Sequence, residues 1–525
     1  AILQRELTEG IARGEPVGQE AEPAPREDWR VILDLVQRTD QNLHDQIARK
    51  MLNHLAWSGI EEAKQLLLGL SGPLEEDAEP GDENRPTRRS EPMEADAFSA
   101  ATFQMASAHL SEHELFTTIQ TWIQEDRLNF LVVALESSDT TLPEIANALQ
   151  RYEGTGVDAR EVSPAMHVGL KVSLIRRLLT DSPEIINTCR RCLELEDFVG
   201  LVGHTILLPK SHGRIGGKGS GLFLARHVLG RAGKNRDLLD GLRVHKTWYL
   251  HSDGIVQFLA YNDLDEVYNW KYRDLDEIRH EYPHMLQVFK SARFPAEFVQ
   301  GLSNALDDLG DRPLIVRSSS LLEDRAGSAF SGKYKSLFLA NQGRKADRLA
   351  ALLDAVAEVY GSVFGPDPIQ YRAERGLLEY HEEMGVMIQE VVGTRVGRYF
   401  LPAFAGVGFS NNELRWSPRI RREDGLLRLV PGLGTRAVDR LADDYPVLVA
   451  PGQPGLRVNT SPEEVHRYSP RKIDVINLET NSFETVDRHT LLREVGDQLP
   501  GLTRLVSLYE GDMLRRPGGL DLRFD

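Results

Sequence analysis

Three stretches of this 525-residue chain carry residue types suited to holding phosphate. The first is Gly213-Arg214-Ile215-Gly216-Gly217-Lys218-Gly219-Ser220-Gly221, running into LFLARHVL. Glycines let backbone N–H groups approach an anion closely, a following helix offers its positive end, and Lys218 adds a point charge. The spacing is not that of the GxxxxGK[ST] loop, and a glycine turn before a helix is commonly structural. The second, Arg312-Pro313-Leu314-Ile315-Val316-Arg317-Ser318-Ser319-Ser320, reads as a short buried strand that delivers Arg317 to its end. A guanidinium grips phosphate oxygens in a planar fork. An ion pair with Glu323 or Asp324 is the competing reading for a lone arginine. The third runs from Glu323 to Ser336, through Gly332, Lys333 and Tyr334. Its small, aromatic and cationic residues suit a lid that keeps water from phosphates, or equally an ordinary hairpin, since SLFLAN reads as a strand.

The elements that position these residues begin near Ile206. Short β-type runs (KTWYL, PLIVRS, SLFLAN, GVMIQEVV, FLPAFAGVGF, YPVLVA) alternate with helical text such as ADRLAALLDAVAEVYGSVF. That mixture predicts an α/β or α+β architecture over 206–525. Before it the text is helical. Residues 1–27 read as a loose leader, 28–70 as a helical segment, 71–98 as a polar, proline-bearing disordered linker, and 99–205 as a helical domain. Ser111 and Glu114 have the spacing of a capping box. The scattered His109, His113 and His167 suit surface or core positions better than ligation.

The bulk numbers bound the function. A formal net charge of −17 speaks against a general nucleic-acid binder, which carries a basic stripe. No run approaches the roughly 18 apolar residues of a membrane span, and the first residues lack a signal-peptide layout. The expectation is a cytoplasmic protein with no nucleic-acid or membrane partner. The only two cysteines, Cys189 and Cys192, form one CxxC in helical text with no second pair, so a zinc site is disfavoured. Neither end of the chain reads as a natural terminus.

Taken in order, GGKGSGL, IVRSSSLLEDRAGSAFSGKYKSLFLAN, MGVMIQEVV, AGVGFS and GLGTRAV resemble the nucleotide-binding domain of phosphoenolpyruvate synthase, pyruvate phosphate dikinase and rifampin phosphotransferase. The resemblance spans roughly residues 206–440 and is most specific from Arg317 to Asn341. It implies a two-lobed ATP-grasp-type fold that holds ATP and Mg²⁺. It also implies roles for single residues. Gly216, Gly217 and Lys218 match the phosphate-contacting glycine turn and its lysine. Arg317 matches the arginine of the VRSS strand, Gly332 the glycine of the lid motif SFAG, and Gln389 the glutamine of the nucleotide-facing strand. Ser336 stands where the family usually has threonine.

Departures accompany these matches. Where the family lid has two glutamines, this chain has Lys333 and Tyr334, and the family's GLGE reads Gly432-Leu433-Gly434-Thr435, losing a carboxylate. The family's glutamate strand and glutamine-x-arginine-proline motif, which help hold metal, are not seen before Asp525, so no metal ligand is assigned. The resulting expectation is an ATP-dependent phosphotransferase lobe, Lys218 and Arg317 being catalytic. Its phosphoryl acceptor would be a histidine on a domain beyond Asp525 or on another chain, and the helical region would take a protein partner. The alternatives are an ATP-sensing regulatory module and a scaffold with a decayed site.

Overall fold

The computed structural model describes residues 28–71, 95–158, 160–231, 236–324, 332–438 and 443–518, with the side chains of Glu323 and Asp324 not among them. The leader at 1–27, most of the expected linker and the middle of the expected lid therefore lie outside the described residues. Two compact units divide the chain: one takes in residues up to Asn129 with Val157–His167, the other Phe130–Gly156 and everything from Val168.

The first unit is helical: α1 (Trp29–Thr39), α2 (Gln41–Trp57), α3 (Glu61–Ser71), α4 (Ala95–His109) and α5 (Glu112–Arg127). Side-chain caps begin several of them. Asp28 accepts from the Arg30 N–H and Asp40 from the Leu43 N–H. The capping box expected at α5 is present, Glu114 accepting from the Ser111 N–H at 2.8 Å and Ser111 Oγ from the Glu114 N–H at 3.2 Å. One core joins Trp29, Ile47, Met51 and Leu55 to Phe103, Leu115 and Ile119. The segment 28–70 thus shares its core with the helices that follow the linker stretch. Helices of this length bury too little apolar surface to stand alone. Helix α4 also begins at Ala95, inside the stretch read as linker.

The second unit opens with α6 (Asn129–Glu136, from Phe130), α7 (Leu142–Thr155), α8 (Pro164–Leu178, from Val168), α9 (Pro183–Cys192) and α10 (Leu195–Val202). Then come β1 (Thr205–Ile206), α11 (Gly216–Gly230), β2 (Thr247–Leu250), α12 (Gly254–Tyr261), α13 (Leu275–Ser291), α14 (Ala296–Leu309), β3 (Leu314–Ser320), β4 (Ser336–Leu339), α15 (Lys345–Ser362), α16 (Pro366–Glu374) and β5 (Met384–Glu390). The division at residue 205 is accordingly replaced: Phe130–Gly156 and the chain from Val168 belong with the mixed region. The reason is local bonding. The Leu142 N–H donates to Ser211 O at 2.7 Å and the Ile215 N–H to Leu178 O at 3.1 Å, so α7 and α8 are tied to the glycine turn.

The five strands form one sheet in the order β1-β2-β5-β3-β4, antiparallel except for β1 with β2. Period-two alternation sorts their side chains. Leu250, Leu314, Val316, Val386 and Ile388 enter a core completed by Phe258, Phe289, Phe298, Val356 and Tyr360 from the helices. Thr247, Ile315, Arg317 and Gln389 go to the opposite face by the same alternation. The helical stretch Lys345–Glu374 has the length and hydropathy to span a membrane, contrary to the sequence expectation, but 61% of its apolar window is buried in this core.

Beyond it, β6 (Thr394–Val396), β7 (Tyr399–Leu401), β11 (Lys472–Asn477) and β12 (Ser482–Asp487) form a sheet in the order β12-β11-β7-β6. Strands β8 (Phe404–Phe409), β9 (Leu426–Pro431) and β10 (Val447–Val449) form another. The run FLPAFAGVGF, read as one strand, is two strands in different sheets, broken at Pro402 and Ala403. Ala340, Val391, Leu433 and Ile476 make a small core against which Ile315 and Phe338 pack.

Candidate nucleotide site

The glycine turn is held from below by consecutive residues after β2. Ser211 Oγ and the His212 N–H donate to the two oxygens of Asp253, each at 2.7 Å. The Arg214 N–H donates to Ser252 Oγ at 3.1 Å, and the Ser252 N–H returns a bond to Arg214 O at 2.7 Å. From the other side Arg214 reaches Arg176 O and pairs with Asp181 at 2.6 Å. The sequence expectation gave the glycines a phosphate role; the backbone gives Gly216 a packing one. Its φ is +75°, and a Cβ there would fall 1.7 Å from Ser319 O. Helix α11 thereby starts against β3. Ser319 Oγ donates to Ile215 O at 2.7 Å and accepts from the Gly219 N–H at 3.0 Å. Gly217 is buried beside it.

From this docked start Lys218 reaches the same strand, its Nζ donating to Ser318 O at 3.1 Å and Ser318 Oγ at 3.0 Å. Arg317 is the preceding residue. It occupies the middle of the seven-residue β3 rather than its end, because pairing with β5 continues to Ser320. Arg317 Nη1 donates to Gln389 Oε1 at 3.3 Å, and Gln389 Nε2 donates to Thr247 Oγ1 at 2.9 Å. The chain of bonds crosses three adjacent strands and orients the guanidinium from behind. Arg317 is half-buried, while Gln389 and Thr247 are buried.

Ser336 opens β4 directly opposite Arg317 and is exposed. Gly332 adopts φ +77° with nothing within 4 Å of a built Cβ, so the turn conformation rather than crowding asks for glycine. Lys218, Arg317, Gln389 and Ser336 are thus brought to one part of the sheet, on or beside β3. Gly216 and Gly217 lie beneath them, and no contact links Gly332 to the group among the described residues.

Two carboxylates with no sequence signal also shape this region. Glu382, just before β5, accepts from Ser320, Tyr334 and Arg372. Asp474, on β11, accepts from Thr435 Oγ1, from Thr485 Oγ1 at 2.7 Å and from Arg436 Nε at 3.1 Å. The GLGT turn therefore receives a carboxylate from β11. Three side-chain donors already occupy it. Among the described residues no group of three or more His, Cys, Asp or Glu is arranged to hold a metal ion.

Arg317 is half-buried and bonded to a buried amide, and Lys218 is bonded to the next residue of the strand, Ser318; the ion pair with Glu323 or Asp324 expected as the alternative for Arg317 falls on side chains outside the described residues. A family model described as pyruvate phosphate dikinase, AMP/ATP-binding domain, matches residues 212–507. The match covers more than half of the 525 residues, and the chain belongs to that family. It begins at the glycine turn and takes in the strands of the three sheets just described except β1.

Proposed function

We propose that this chain is an ATP-grasp-type phosphotransferase lobe that binds Mg-ATP across β3 and passes a phosphoryl group to a histidine on another domain or chain. The observation that carries the reading is the placement of Lys218, from the glycine turn, on Ser318, the residue that follows Arg317 on β3. When bound, Mg-ATP supplies the phosphoryl group. Magnesium is usually held by one or two carboxylates together with phosphate oxygens, and the saturated Asp474 does not fit as a ligand. The chain's part is electrostatic. Lys218 and Arg317 offset negative charge on the phosphates, and Gln389 with Thr247 fixes the guanidinium before the nucleotide arrives, which is where phosphoryl-transfer catalysis gains most.

Calorimetric titration with Mg-ATP tests binding, and ATP at a hundredfold over its dissociation constant should stabilise the fold by about 2.7 kcal/mol. Arg317→Lys keeps the charge and loses the fork, and Lys218→Ala loses the charge. Each should weaken binding or transfer by roughly tenfold to a hundredfold while the circular dichroism spectrum stays unchanged. Folded protein that gives neither heat nor a thermal shift at millimolar ATP would overturn the reading.

One observation favours a second reading, an ATP sensor that does not transfer. Thr435 stands where the family has a carboxylate, and the carboxylate that replaces it is engaged by three side chains. Incubation with γ-labelled ATP and a phosphohistidine domain of the family separates the two: labelled domain supports transfer, and binding without labelling supports sensing.

A further inference from the structure

Ser320 at the end of β3 and Tyr334 just before β4 meet on one atom. Ser320, the last residue of β3, donates its hydroxyl to Glu382 Oε1 at 2.7 Å, and the Tyr334 hydroxyl donates to the same oxygen. The second oxygen, Oε2, is taken by Arg372 Nη1 from α16. Glu382 and Arg372 are each 3% exposed and Tyr334 is 7% exposed. A buried carboxylate is costly unless its lone pairs are filled, and here hydroxyl and guanidinium donors fill them.

This carboxylate lies where β3, β4 and β5 must be kept in register. Ser320 pairs with Met384, two residues after Glu382. Tyr334 stands two residues before Ser336, the residue opposite Arg317. The Lys335 backbone between them accepts from the Ser318 N–H at 3.4 Å, and Ser318 is the residue that receives Lys218. A displacement of Tyr334 therefore shifts the strand start that faces Arg317 and the residue that holds Lys218.

We infer that Glu382 is a positioning residue of the nucleotide site, pinning the end of β3 and the approach to β4 so that the Arg317 guanidinium keeps a fixed geometry. The inference rests on the ATP-binding reading above. Its test compares Mg-ATP affinity in the wild type, Tyr334→Phe, Ser320→Ala and each of these combined with Arg317→Lys. Tyr334→Phe keeps the buried ring, and Ser320→Ala removes the other donor to the same oxygen.

Loss of one hydrogen bond to a charged group corresponds to roughly tenfold or more. Each single variant should lose about that factor in affinity, and the factor should shrink to under about threefold when Arg317 is already lysine, because the pinned geometry serves the guanidinium. The same factor in both backgrounds would mean a general loosening of the fold and would overturn the inference, as would wild-type affinity in both single variants. Failure of the wild type to bind Mg-ATP would instead remove the underlying reading.

Discussion

Gly216→Ala is expected to destabilise the second unit by more than about 4 kcal/mol, the exceptional end of single-substitution effects, whereas Gly221→Ala, five residues on in the same helix, should stabilise it by roughly 0.5–1 kcal/mol. The opposition follows from the backbone alone. At Gly216 an added Cβ meets Ser319 O at 1.7 Å and Ser319 C at 2.5 Å, and φ is +75°. The obstacle is a strand carbonyl fixed by pairing with β5, so no side-chain rotation relieves it. Helix α11 would have to withdraw from β3, breaking the bonds of Ser319 with Ile215 and Gly219 and drawing Lys218 away from Ser318. At Gly221 a Cβ meets nothing within 4 Å, and alanine gains the ordinary helix preference. Thermal midpoints and tryptophan fluorescence of the two variants read both signs. A Gly216→Ala protein within about 1 kcal/mol of wild type would contradict the docking geometry.

The contrast also shows which part of the site the sequence could carry. A glycine turn entering a helix is visible as text, and so is a strand with an arginine in it, because both depend on neighbours along the chain. The job of Gly216 is not visible that way: its partner is Ser319, over 100 positions later, and only the crossing of helix and strand decides between phosphate approach and packing. Arg317 was placed at a strand end because nothing local marks where pairing with β5 stops. The same limit hid Glu382 and Asp474. Glu382 stands beside a second glutamate, Glu383, and Asp474 between Ile473 and Val475, and each matters through donors from segments distant in sequence. The helical domain expected over 99–205 is divided between the two units for a related reason. Its helical periodicity is real, but the carbonyls of Arg176, Leu178 and Leu179 are acceptors for Arg214, Ile215 and Ser220 of the glycine turn and α11. Periodicity records what a helix buries and not what its last turn holds.

Beside Ser252 and Asp253, which hold the turn, the chain buries an imidazole. His251 is 1% exposed, directly before the two residues that hold the turn. Burial pushes its pKa down to about 4, against the opposing pull of the nearby Asp253 carboxylate and the Ile206 backbone. In the unfolded chain an imidazole titrates near 6.5. The unfolded state therefore binds the proton first as pH falls. His251 contributes stability that is fully present above about pH 6.5 and is lost progressively as pH falls toward 4. The gap between the two values corresponds to about 3 kcal/mol when the loss is complete.

Carboxylates add their own acid sensitivity, so the informative quantity is a difference. The fall in unfolding free energy from pH 7 to pH 4.5, measured by urea titration, should be smaller in His251→Gln than in the wild type by about 2 kcal/mol. Because the proton would enter beside Ser252 and Asp253, the bonds from Ser211, His212 and Arg214 should loosen with it. Amide exchange at His212 and Arg214 should accelerate in the wild type between pH 6 and 4.5, after correction for intrinsic rates, and stay level in His251→Gln. Equal falls in stability for the two proteins would show that His251 does not sense this range.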